Sequence, residues 1–92
     1  MDSPSSIIIT PFNYHEWKEK ISILLRSRGL YIVTLSLENE PNVLIEKANW
    51  HNRLDEAYGF LCFSISIDLL FHLDGFTTPN QVWTQLESLF GV

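Results

Sequence analysis

The sequence predicts an all-α fold, a small bundle of four to five helices entered by an extended N-terminal arm, and three observations carry that reading. Three tryptophans, Trp17, Trp50 and Trp83, each fall on an amphipathic stretch. A side chain this large is seldom left on a surface, so three on three helices point to one shared core. Two of those stretches are bounded by residues that start and stop helices. Finally, 92 residues of which 46% are hydrophobic make one ordinary globular domain and argue against disorder.

Residues 1–12 form the arm and residues 13–92 the helical domain. Met1 to Ser6 are small and polar and are expected to fray. Ile7, Ile8 and Ile9 form a β-branched run stopped by Thr10-Pro11, since proline forces its predecessor to extend. The run reads as an extended arm laid against the helices, with a short strand pairing onto a partner as the alternative.

Asn13 opens the first helix as its N-cap, with Glu16 in the capping-box position and Phe12 placed to staple onto Trp17 or a neighbour. Trp17, Ile21, Leu24, Leu25 and Arg28 recur at helical spacing, and Gly29 stands where a left-handed residue ends a helix. The spacing therefore predicts a helix over 13–28. Leu30 to Leu35 is ambiguous, β-branched yet short and without a hairpin partner. Ser36 to Pro41 reads as a polar, acidic loop.

A long helix is expected over 43–65, capped by Asn42. Its face carries Leu44, Lys47, Trp50, Leu54, Ala57, Tyr58, Leu61 and Ile65, with the lysine stem snorkelling. Gly59 costs about 1 kcal/mol relative to alanine inside a helix, which suggests close approach of another helix. Phe60 and Phe63 lie off the main stripe, suggesting burial on two sides. Ser66 is placed to cap a short helix, Ile67 to Leu73, and Asp74-Gly75 turns the chain. The last helix has clear grammar: Thr78 as N-cap, Pro79 at the first helical position and Gln81 completing a capping box. Val82, Trp83, Leu86, Leu89 and Phe90 form its apolar face, and Gly91 ends it. The expected core is Trp17, Leu25, Trp50, Leu54, Leu61, Trp83 and Leu86. Apolar surface in excess of that core is assigned to Ile7, Ile8, Ile9, Phe60, Phe63, Phe71 and Phe76, the candidate interface.

The net charge is −5 and unevenly spread. Residues 1–53 are neutral, whereas residues 54–92 carry Asp55, Glu56, Asp68, Asp74 and Glu87 with no lysine or arginine. An acidic half does not neutralise phosphates, which disfavours nucleic acid and anionic membranes as partners. Arg26 and Arg28 are accounted for by the dipole at the end of the first helix. The single cysteine, Cys62, rules out an internal disulfide and reads as a buried small hydrophobe. The start of the chain lacks the basic residues of a signal peptide, and the apolar run Ala57 to Ile67 is too short to span a bilayer. A cytoplasmic or nuclear location is expected.

Catalytic chemistry is sparse. His15, His51 and His72 are far apart and form no pair at metal-ligand spacing. Asp55 and Glu56 are neighbours on a helix and do not face each other. Asp68 reads as a first-turn acid stabilised after Ser66. Asp74-Gly75-Phe76 lacks the hydroxyl residue of an aspartic-protease loop. There is no phosphate-cradling glycine loop and no nucleophile elbow. Tyr14 and Trp17 near Lys18 and Lys20 read as core rather than a base-stacking platform. The expectation is no enzyme, no cofactor and no metal.

Several segments in order carry a resemblance. Pro11-Phe12, then Asn13-Tyr14-His15-Glu16-Trp17-Lys18, then Leu25 and Gly29-Leu30-Tyr31, open the chain. Trp50 with Ala57 and Ile65 follows, and Thr78-Pro79-Asn80-Gln81-Val82-Trp83-Thr84-Gln85-Leu86 closes it. Together they resemble the N-terminal, capsid-like region of the Gag polyprotein of copia-type LTR retrotransposons, over about residues 7–91. Tyr31 stands where that family most often has tryptophan. The resemblance implies a plant source, a fold like a capsid N-terminal domain, a short helix over 30–35, and self-association into a particle shell. It also implies that nucleic acid is bound only through downstream regions absent here, since neither a second capsid lobe nor a Cys-rich zinc knuckle is present. The expected partner is a further copy of the chain, in a weak homo-oligomer, or another protein. The alternative is a domesticated or truncated Gag-derived adaptor without assembly activity.

Overall fold

The computed structural model describes residues 8–10 and 12–91. Among the described residues, four α-helices and one 3-10 segment follow in order: α1 (Tyr14–Ser27), α2 (Tyr31–Thr34), α3 (Leu44–Phe63), the 3-10 segment (Ile67–Leu73) and α4 (Pro79–Phe90). No strand occurs among the described residues, so the domain is an all-α bundle. Helix α3 packs against α4 and α2, α2 also touches α1 and α4, and the 3-10 segment rests on α4.

The core draws on every element. Ile9, Trp17, Ile21, Leu25, Leu30, Leu61, Val82 and Leu86 are all at most 2% exposed. Each such aliphatic residue contributes about 1.5–3 kcal/mol relative to an exposed one. Of the expected core, Trp17, Leu25, Leu61, Trp83 and Leu86 are buried, while Trp50 and Leu54 are half-buried and pack on its edge.

Local chemistry explains the helix ends. Gly29 has φ +71°, its N–H donates to Arg26 O at 3.1 Å, and Leu30 N–H reaches back to Leu25 O at 2.8 Å. This double closure ends α1 and drives Leu30 into the core. Thr78 caps α4 with the full reciprocal box: Gln81 N–H donates to Thr78 Oγ1 at 3.2 Å, and Thr78 N–H donates to Gln81 Oε1 at 3.2 Å. Gly75, with φ +85°, completes the turn in which Phe76 N–H donates to Leu73 O at 3.0 Å.

Several expectations are corrected. Asn13 occupies the N-cap position but makes no capping bond. Its Oδ1 accepts from Thr10 N–H at 2.7 Å and its Nδ2 donates to Ile8 O at 2.9 Å, so the side chain ties down the arm instead. Glu16 pairs with Lys20 rather than forming a box. Phe12 is 97% exposed and staples nothing. Helix α3 is shorter than 43–65, and Val43, in extended conformation, holds its N-cap position instead of Asn42. Leu44 is exposed, as are Val43 and Ile45 beside it, so the start of α3 is not packed against the core. Phe63 is exposed too, so α3 is not buried on two sides at that position. No atom lies within 4 Å of a Cβ built on Gly59, so no helix approaches there. Ser66 makes no side-chain cap, and the segment after it is 3-10 rather than α-helix.

The arm is part of the fold at Ile9. Ile9 N–H donates to Ser64 O at 2.7 Å, and Ile9 pairs in parallel with Ile65 as a single backbone bridge. The first expectation for the run, an arm laid against the helices, describes Ile9; Ile7 lies outside the described residues.

Candidate functional site

Among the described residues, two shallow hollows can be placed on the surface. One, of about 170 Å³, is lined by Val33, Ser36, Glu38, Trp50, Leu54, Thr78, Pro79 and Asn80. Three of its polar side chains are already committed. Glu38 accepts two hydrogen bonds from Arg53, at 2.7 and 2.9 Å. That guanidinium holds the Glu38 carboxyl below its ordinary range. The Thr78 hydroxyl caps α4, and Asn80 Nδ2 donates to Thr34 O at 3.2 Å. The Trp50 indole nitrogen is buried without a partner. No nucleophile–base pair faces this hollow.

The second hollow, of about 280 Å³, is lined by Arg26, Gly29, Tyr31 and Ile32 at the junction of α1 and α2. Arg26 lies over the Tyr31 ring, its Cζ 4.3 Å from the centroid. Tyr31 meets Trp83 edge-on, with centroids 6.3 Å apart, so the ring is braced from the core.

Several titratable groups are shifted by their surroundings. Burial pushes the Cys62 thiol up, partly offset by its hydrogen bond with Tyr58, which leaves little thiolate. Burial also raises Tyr14, while the hydrogen bond to Glu87 raises Lys18. Among the described residues, no group of three His, Cys, Asp or Glu side chains comes together to hold a metal. Among the described residues, no helix is long and apolar enough to cross a membrane.

What the surface does present is apolar. Of the residues assigned to the interface, Phe63 and Phe71 are 74% and 63% exposed. Ile9 is fully buried, because it finds its backbone partners in the same chain at Ser64 and Ile65. Phe60 and Phe76 are half-buried against the core, Ile8 is half-buried, and Ile7 is not described. Sequence reasoning missed Ile23, Ile32, Leu37, Val43, Leu44, Ile45 and Ile67, all at least half exposed. The signal was present for Val43-Leu44-Ile45. Three consecutive apolar residues at a helix start fan over about 200° at 3.6 residues per turn, so one packed face does not cover them all.

The charge surrounding these residues is ordered. Lys18, Lys20, Arg28, Lys47 and Arg53 each lie within 4 Å of a carboxylate. Arg26 is the only base without one among the described residues. Asp68 and Asp74 are exposed, and among the described residues neither forms an ion pair.

No protein-family model matches the chain, and neither does any curated protein or solved structure. The fold and surface define an all-α domain that exposes several large apolar side chains.

Proposed function

We propose that this chain is a non-enzymatic, Gag-like structural domain of a copia-type retrotransposon of plant origin. In this reading it self-associates weakly, in the cytoplasm or nucleus, towards a capsid-type shell. The observation that carries the reading is the ordered series Asn13-Tyr14 to Trp17, Gly29-Leu30, Trp50, and Thr78-Pro79 to Trp83 and Leu86. Supporting it, exposed apolar residues such as Phe63, Ile67 and Phe71 supply adhesive surface. Five of the six bases are engaged by carboxylates, which leaves little for phosphate and supports the reading that nucleic acid is bound through downstream regions of such a polyprotein.

The test is sedimentation velocity from low to high micromolar concentration near physiological salt. The expected result is a weight-average mass that rises with concentration, with affinity around micromolar or poorer. Strictly monomeric behaviour across the range would overturn the assembly reading and favour a Gag-derived adaptor that binds a different protein.

A further inference from the structure

The hollow at the α1–α2 junction and the ridge of the 3-10 segment are chemical complements. In a 3-10 helix residues three apart project from the same side, which places Asp68 and Phe71 together. Phe71 is 63% exposed, and Ile67 beside Asp68 is 81% exposed. The ridge is therefore an aromatic ring beside a carboxylate, in a half of the chain that contains no lysine or arginine. The hollow is the reverse: a guanidinium without a carboxylate, stacked on Tyr31 and flanked by the half-exposed Ile32.

From this we infer that the ridge of one copy docks into the hollow of a second copy of this chain, head to tail. Phe71 enters the space beside Tyr31 and Ile32, and Asp68 pairs with Arg26. An arginine held over an aromatic ring keeps N–H groups free to take a carboxylate. Charge disfavours the symmetric alternatives. Ridge against ridge brings Asp68 and Asp74 of two copies together with no lysine or arginine between them, only the half-buried His72, whose ring lies 4.0 Å from that of Phe71 between centroids. Hollow against hollow opposes two Arg26 side chains. Unlike surfaces therefore meet, and such a contact leaves a free ridge at one end and a free hollow at the other, so it propagates into a ring or a filament. The few side chains involved fall below the roughly 800 Å² per partner of a stable interface, so each contact is weak and gains strength by repetition.

This inference rests on the self-association proposed above and names its surfaces, and the two fail differently. The experiment is sedimentation equilibrium on the 92-residue chain, with Arg26→Glu and Phe71→Ser made separately and melting curves confirming that both fold. Both positions are exposed. Each variant alone is expected to associate at least tenfold more weakly than the parent. Mixed in equal amounts they are expected to form a dimer that grows no further, because one intact hollow meets one intact ridge. Arg26→Asp combined with Asp68→Arg is expected to regain association. A parent chain that associates while both variants associate equally well, or a mixture that stays monomeric, would overturn the head-to-tail contact and leave self-association standing. A monomeric parent chain would overturn both. Ile67→Ser, tested in the same way, replaces Phe71→Ser if that variant unfolds.

Discussion

The indole of Trp17 lies beside that of Trp83, ring centroids 5.9 Å apart and planes inclined by 38°. The contact joins the first and last α-helices, and the two side chains are only 2% and 6% exposed. Trp17→Ala or Trp83→Ala is therefore expected to cost about 3–5 kcal/mol. That is most of the stability of so small a domain. Urea unfolding followed by circular dichroism measures it, and an unchanged midpoint in both variants would remove the rings from the core. Trp17→Phe is expected to cost markedly less. It keeps an aromatic ring and discards an indole N–H that is buried without a partner.

Ile9 gives the arm a structural role. Its side chain is fully buried and its N–H is held by Ser64 O at 2.7 Å. Ile9→Ala is expected to lower stability by about 2–4 kcal/mol, as other large-to-small core changes do. Phe12→Ser, three residues on at a 97% exposed position, is expected to stay within about 0.5 kcal/mol. Equal losses from the two variants would contradict the placement of the arm.

These two residues also show what a sequence discloses. The end of α1 at Gly29 and the Thr78–Gln81 box were legible because each is settled by residues within one helical turn. Asn13 was not, because its amide had a competing choice. It bonds Thr10 and Ile8 in the arm, a decision made by where the arm lies. Leu44 and Ile45 share the failing. Their apolar character was plain, but whether α3 has neighbours at its start depends on residues distant in sequence. The candidate site followed the same rule. Phe63 and Phe71 could be marked as apolar excess from composition. Pairing Asp68 with Phe71 required knowing that the segment is 3-10, and singling out Arg26 required knowing where every other base is bound.

Ser36 carries a cost that a single change should remove. It has φ +58°, while its N–H donates to Val33 O at 3.3 Å and Leu37 N–H donates to Ile32 O at 3.0 Å. This is the helix-ending geometry that Gly29 serves in α1, with a Cβ in the left-handed region. Ser36→Gly is expected to raise stability by about 0.5–1 kcal/mol, the strain relieved slightly exceeding the added freedom of the unfolded chain. Thermal unfolding decides it, and a fall in midpoint would show that the serine is better suited than glycine to this end of α2.

The Glu38–Arg53 pair gives a pH dependence with a definite sign. Hydrogen bonding to Arg53 lowers the Glu38 pKa in the folded state. A carboxylate so depressed stabilises the fold at pH values above its unfolded pKa. That contribution fades as pH falls from the ordinary carboxylate range through the lower folded value. The parent chain is therefore expected to lose stability over this acid interval faster than Glu38→Gln, and the two curves should converge once Glu38 is protonated. Curves that stay parallel from neutral to acid pH would mean that the pair contributes nothing linked to protonation.

Single-stranded RNA is the final case, and here the structure sharpens what charge counting began. Residues 54–92 contain no lysine or arginine. Of the bases before them, Lys18 and Arg28 are turned to Glu87 and Glu56 of that acidic half, at 3.2 and 3.7 Å. Lys20, Lys47 and Arg53 are paired within their own neighbourhoods. A phosphate would have to displace a carboxylate at five of six bases, forfeiting much of the counterion-release gain that drives such binding. Trp17 and Trp83 are enclosed in the core and offer no face for a base to stack on. Negligible affinity at physiological salt is expected in a fluorescence anisotropy titration with a mixed-sequence oligonucleotide. Arg26→Glu should change nothing in that assay, although the same substitution is expected to weaken self-association at least tenfold. Binding at micromolar concentration or tighter, lost in Arg26→Glu, would instead make the α1–α2 hollow a phosphate site and remove the reason for assigning it to a neighbouring copy.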